Sequence, residues 1–172
     1  MAVVTGAPDR PGLRSFSASV DVESPAEDAF ALLCAVEKWP VWLSFLRSSR
    51  MAAPNAQLEL GSDVVVRSCL PGEEEQLYEV DALIANYHLS LVGAYSTRRR
   101  LDFRIERKTS RSKVHVRFSY PAYHGWIGAV FDRWRHGRRL NSALNDALVH
   151  FKGLVEYRRE DLASGGLEAS VL

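Results

Sequence analysis

Three tyrosines are the side chains best placed to do chemistry. Tyr78, Tyr95 and Tyr120 each share the strand parity of apolar neighbours: Val80 and Ala82, Leu89 to Gly93, and Val114 to Phe118. Each hydroxyl is therefore expected to point to a covered face, where a phenol needs a polar partner. A bound molecule could be that partner, held through a carbonyl or served in a proton transfer. Asn141 and Arg138 come next, because they flank an apolar helical stripe close to Gly137. Tyr78, Tyr95 and Asn141 are the catalytic candidates if a reaction takes place. Arg138 could turn inward and anchor a carboxylate or phosphate.

Other chemistries find little in the chain. Its 5 histidines are His88, His115, His124, His136 and His150. No pair has H-x-x-x-H or H-E-x-x-H spacing, so neither a metal nor a cofactor is expected. His115 should face outward beside Arg117, and His124 lies where it could meet a pocket mouth. No G-x-S-x-G, Walker or dinucleotide fingerprint is present. Ser24 reads as a helix cap rather than a nucleophile. Cys34 and Cys69 fit neither a metal pattern nor a disulfide framework and read as core thiols.

Composition sets the frame. The chain has 172 residues, 47% hydrophobic and 25% charged, with a formal net charge of +1. Those values suit one domain with a real core and give no global field for nucleic acid or a membrane. No apolar run approaches a transmembrane span, and the start lacks a signal-peptide pattern. Unpaired cysteines suit the cytoplasm. Residues 1–13 read as a flexible arm, 14–160 as the domain and 161–172 as a flexible tail. Basic clusters (Arg98 to Arg100, Arg104 to Lys108, Arg111, Lys113, Arg133 to Arg139) read as solvated faces. Their alternative is peripheral contact with an anionic membrane or an acidic carrier protein.

The elements that must position these residues follow from periodicity. Ser15 to Val22 alternates as a half-buried strand. Ser24-Pro25-Ala26-Glu27 predicts a capped helix start, and the helix through Ala29, Phe30, Leu32, Leu33 and Val36 is expected to stop before Trp39-Pro40. A second short helix is expected over Val41 to Leu46. Strands follow at 49–53, 63–70, 75–84, 88–95, 98–107 and 113–120, with turns at Pro71-Gly72, Asn86-Tyr87, Ser96-Thr97 and Lys108 to Ser112. Short turns imply antiparallel neighbours. Ala122 to Arg158 then carries apolar residues at steps of three and four, a long amphipathic helix with its bend at Gly137.

The predicted fold class is thus α+β: a curved antiparallel sheet of about seven strands around a long C-terminal helix, with two short helices after the first strand. One helix is narrow for such a sheet, so a gap is expected between them. Its expected lining begins with Trp39, Trp42, Tyr78, Val80 and Leu91. Tyr95, Phe103, Phe118 and Tyr120 continue it along the strands. Trp126, Val130, Trp134, Arg138 and Asn141 line it from the helix.

Three stretches carry a resemblance. Ser19 to Phe30 (SVDVESPAEDAF) resembles an opening strand with a P-x-E-x-V/A-F/W helix start. Val36 to Trp42 (VEKWPVW) is similar to a D-x-x-x-W-P-x-W corner. Ala143 to Glu156 (ALNDALVHFKGLVE) is similar to a closing L-x-x-L-x-x-L-K-x-x-x-E helix. In this order and spacing, over about residues 14 to 158, they resemble the START-like (SRPBCC) helix-grip superfamily. That group includes polyketide cyclases/aromatases, plant pathogenesis-related ligand carriers and quinone-binding proteins. The resemblance implies a cavity between sheet and helix for a small hydrophobic ligand of lipid, quinone or polyketide type, in a carrier or sensor. In some aromatase/cyclases an arginine on a middle strand orients a poly-ketone chain. The comparable strand here, Glu75 to Ile84, has none, and Ala82 and Leu83 lie near that place. Leu140-Asn141 does resemble a Leu-Asn step of that branch. Few inward positions carry titratable groups, which favours binding over a cyclase or dehydrase reaction.

Overall fold

The computed structural model describes residues 13–68, 75–121 and 137–168. Strand β1 spans Leu13–Val22, helix α1 Ala26–Cys34, a 3-10 turn Val36–Lys38 and the short helix α2 Trp39–Trp42. Then come β2 (Leu46–Met51), β3 (Asp63–Ser68), β4 (Glu75–Ile84), β5 (His88–Gly93), β6 (Ser96–Arg107) and β7 (Ser112–Pro121). Helix α3 runs from Gly137–Glu168.

Among the described residues the strands form one 7-stranded antiparallel sheet in the order β1-β7-β6-β5-β4-β3-β2. Register shifts at Leu46/Ser48, Val80/Ala82 and Val92/Gly93 interrupt three of its ladders. Such irregularities raise local twist and let a sheet curl. Strand parity decides the faces. Val20, Val22, Phe103, Ile105, Val114 and Val116 turn inward and are buried, as alternation predicts. The stripe Leu144, Ala147, Leu148, Phe151 and Val155 of α3 is buried with them.

Helix α3 is fastened at one end. Lys152 Nζ donates to the Asp21 carbonyl at 2.9 Å and Arg159 Nη1 to the Glu23 carbonyl at 2.6 Å. The Glu23 N–H donates to Glu156 Oε1 at 2.7 Å. Later helix residues thus meet later residues of β1, so α3 runs alongside β1 in the same direction. Ion pairs Lys108–Asp21 (2.7 Å) and Arg111–Glu23 (2.5 Å), with Arg107–Glu27, tie the β6–β7 hairpin to that end of the sheet. The Lys108 ammonium, bonded to Asp21, holds that carboxyl below its usual range.

Several expectations are corrected. Ser24 is not the cap: Pro25 holds that position without a side-chain bond. The Ser24 hydroxyl donates to Asp28 Oδ2 at 2.7 Å, and its carbonyl accepts from Ser112 at 2.9 Å. Helix α1 ends at Cys34, and Trp39 is itself helical (φ −55°, ψ −41°) in front of Pro40. Its buried indole donates to the Leu33 carbonyl at 2.8 Å, which offsets the pre-proline preference for extended backbone. The second short helix therefore begins at Trp39 and ends at Trp42, not Leu46. The expected turn at Ser96-Thr97 lies at Ala94-Tyr95 instead. Helix α3 continues through 161–168, where a tail was expected. The first half of the long helix, 122–136, and Cys69 lie outside the described residues.

Candidate functional site

Burial changes systematically along the inner face. On β7, Val114 and Val116 are buried (0% and 1% exposed) while Phe118 is half-buried. On β1, Val22, Val20 and Ala18 are buried and Phe16 is not. On β6, Ile105, Phe103 and Leu101 are buried and Arg99 is half-buried. On β4, Val80 and Tyr78 are buried and Gln76 is half-buried. The pairings Phe16 with Phe118, Leu101 with Phe118 and Tyr78 with Gly93 put the half-buried residues at one end of the sheet. It is the end opposite the ion pairs. Burial of the inner face is thus complete at one end and partial at the other, here called the open end.

The open end carries a polar set. The Tyr78 hydroxyl donates to Gln76 Oε1 at 3.3 Å, and Arg99 Nη1 donates to the same oxygen. A guanidinium on an apolar face, beside a phenol and an amide, suits the polar head of an amphipathic molecule. Arg99 sits in a run of three arginines that reads as solvated. Its parity with Leu101, Phe103 and Ile105 was the signal that it turns inward.

Deeper in, the two indoles of the Trp-Pro corner differ. Both are fully buried. Trp39 is satisfied by Leu33. Trp42 packs edge-on against Phe151 at 4.9 Å and Phe103 at 6.0 Å between centroids, and its Nε1 has no hydrogen-bond partner among the described residues. The Asn145 carbonyl oxygen on α3 is likewise buried without a partner. Leaving a buried polar group unpaired costs about 1–3 kcal/mol.

Of the expected lining, Trp39, Trp42, Tyr78, Val80, Leu91 and Phe103 are buried in the core cluster, and Phe118 packs against it from the open end. Tyr95 is a correction: it is 91% exposed, because β5 ends at Gly93 and the chain turns there. The side chains of Tyr120, Arg138 and Asn141, and the whole of Trp126, Val130 and Trp134, lie outside the described residues. Cys34 is half-buried, and burial pushes its thiol up to about 11, away from nucleophilic use. Among the described residues no cluster of at least 3 His, Cys, Asp or Glu gathers as metal ligands would. No described helix is long and apolar enough to cross a membrane.

A curled antiparallel sheet gripping a C-terminal helix, with two short helices after its first strand, defines the helix-grip class. Solved structures, a START superfamily protein among them, share this fold. The Zhui aromatase/cyclase from Streptomyces sp. R1128 superimposes with a TM-score of 0.66 at 14% identity, covering 85% of this chain and 95% of that one. A START superfamily protein from Mycobacterium smegmatis gives 0.56 at 14% identity, over 86% and 98%. Ara h 8.0201 gives 0.57 at 14% identity, over 84% and 98%. No family model matches the sequence, and no curated protein matches it.

Proposed function

We propose that the protein binds one small amphipathic molecule, of lipid, quinone or polyketide type, against the inner face of the sheet, and acts as its carrier or sensor. The observation that carries this reading is the inner face whose burial falls toward one end, with Gln76, Tyr78 and Arg99 bonded together there. Apolar burial would supply the affinity, at about 25 cal/mol per Å2. The Arg99 guanidinium would orient an anionic or carbonyl head, and the Trp42 N–H would meet an acceptor farther in. The START-like fold supports the reading by analogy of form alone. The protein is taken to act in the cytoplasm, where its cysteines suit reducing conditions.

A second reading is favoured by the same polar set. Arg99 and Gln76 could align a poly-ketone chain for cyclisation, with Tyr78 or Asn141 moving a proton, as the aromatase/cyclase neighbour's name suggests. Catalysis needs acid and base groups within reach of one another. The inward polar positions described on the sheet include Ser49, Gln76, Tyr78, Arg99 and Ser112, of which Ser49 is committed to the Val36 carbonyl at 2.6 Å and Ser112 to the Ser24 carbonyl at 2.9 Å. This set favours binding. Titration with 8-anilinonaphthalene-1-sulfonate tests it, since that probe joins apolar rings to an anion. Saturable one-to-one binding that weakens about tenfold in Arg99→Gln supports the site. Binding unaffected by Arg99→Gln removes the orienting role.

A further inference from the structure

The outer face of the sheet holds a cleft of about 540 Å³ over β1, β7 and β6, on the other side of the sheet from the apolar face. Register explains it. Ser15, Ser17 and Ser19 of β1 pair with Ser119, Arg117 and His115 of β7. Those three pair in turn with Arg100, Asp102 and Arg104 of β6. A column of serines, the shortest polar side chains, therefore runs beside two columns that include long cations, and a trough forms between them.

The cleft holds more donors than acceptors. Its one carboxylate, Asp102, is nearly buried and spent: Oδ1 takes Arg104 Nε at 3.1 Å and Oδ2 takes His88 Nε2 at 2.9 Å. Arg100 is committed to Asp81 (2.5 Å) and Ser90 (3.0 Å). Arg104 keeps both terminal nitrogens without a partner among the described residues. Arg117 has one long bond there, from Nη2 to Ser15 Oγ at 3.4 Å. These two arginines sit on a diagonal across β7 and β6 and both line the cleft, with Arg104 leaning on Asp102 and Arg117 reaching toward Ser15 of β1. Beside them stand the Ser19 hydroxyl and the His115 ring, whose nearest carboxylate is Glu106 at 3.5 Å. Guanidinium forks beside a column of serine hydroxyls suit an oxyanion with several acceptor oxygens.

We propose that this cleft is a second binding site, for a phosphate monoester group, gripped by Arg104 and Arg117. A soluble phosphomonoester and a phosphorylated lipid headgroup present the same chemistry, so the test separates the two sources. The full-length protein is titrated at pH 7 and low salt with glycerol 1-phosphate by calorimetry. It is also mixed with phosphatidylcholine vesicles with and without phosphatidic acid in a sedimentation assay. Saturable binding in either arm is expected, weakening at least tenfold in Arg117→Gln and in Arg104→Gln and falling with added salt.

Ser17→Asp is the second variant. It places a carboxylate opposite Arg117, a pairing compatible with folding, and should abolish binding. Binding to glycerol 1-phosphate assigns a soluble ligand, and binding confined to phosphatidic acid vesicles assigns a lipid. No saturable binding in either arm, or binding that survives Ser17→Asp and both arginine variants, overturns the proposal.

Discussion

Replacing Trp42 by Phe should leave the free protein's stability almost unchanged, while the same replacement at Trp39 should be severe. Both indoles are fully buried, and trimming either to a phenyl ring leaves a void. Full Trp→Ala truncation costs about 3–5 kcal/mol, so this smaller trim should cost about 1–2 kcal/mol. The polar balance then separates the sites. Trp39→Phe also strips the Leu33 carbonyl of its donor, adding about 1–3 kcal/mol, for a total of about 2–5 kcal/mol. Trp42→Phe instead removes an N–H that has no partner among the described residues, a relief of about 1–3 kcal/mol that offsets the void. Its net change should fall between a loss of about 1 kcal/mol and a gain of about 2 kcal/mol, near zero at the middle of both ranges. Urea denaturation with a constant m-value reads both. Ligand affinity should show the reverse order. If Trp42 donates to the bound molecule, its loss weakens binding about 2- to 10-fold. Equal destabilisation by the two variants would refute the reasoning, because it would mean that Trp42 already has an acceptor in the free protein.

Other predictions follow from the same contacts. Leu148→Ala, in the buried core, should cost about 2–5 kcal/mol in urea denaturation with no change of fold by circular dichroism. Tyr95→Ser should shift stability by less than about 0.5 kcal/mol and leave probe binding intact, whereas Tyr78→Phe should weaken binding, both read by fluorescence titration. Cys34 should react far more slowly with a thiol reagent at pH 7 than a free peptide thiol. Its raised folded value also favours the neutral thiol in the native state. The unfolded chain therefore releases that proton first as pH rises, and stability should fall between about pH 9 and about pH 11, unlike in Cys34→Ser.

Strand parity made most of the sheet legible. Val114, Val116, Phe103 and Ile105 lie on the faces that alternation assigns. His115 stands outward with Arg117, as expected, and both line the outer cleft. What parity could not supply is where a strand stops. Tyr95 was expected inward because the alternation of β5 was carried two residues past Gly93, where the ladder shifts register and the chain turns. Arg99 was read with its charged neighbours, and its inward position comes from the phase of β6. Local rules misled where long-range bonds compete: Ser24 gives its hydroxyl to Asp28 and its carbonyl to Ser112, 88 positions away. Trp39 stays helical before proline because its indole is held by Leu33. The outer cleft was hidden because it depends on which serines of β1 face which arginines two strands away.

The most direct test of the inner-face site is a two-dimensional NMR titration with 8-anilinonaphthalene-1-sulfonate, following the Leu101 methyls, the rings of Phe16 and Phe118, and the indole N–H signals of Trp39 and Trp42. The account predicts saturable shifts at Leu101, Phe16 and Phe118. It also predicts movement of the Trp42 indole signal toward a hydrogen-bonded position while Trp39 stays in place. Shifts confined to outer-face residues such as Arg104, His115 and Arg117, with the inner-face signals unmoved, would contradict it.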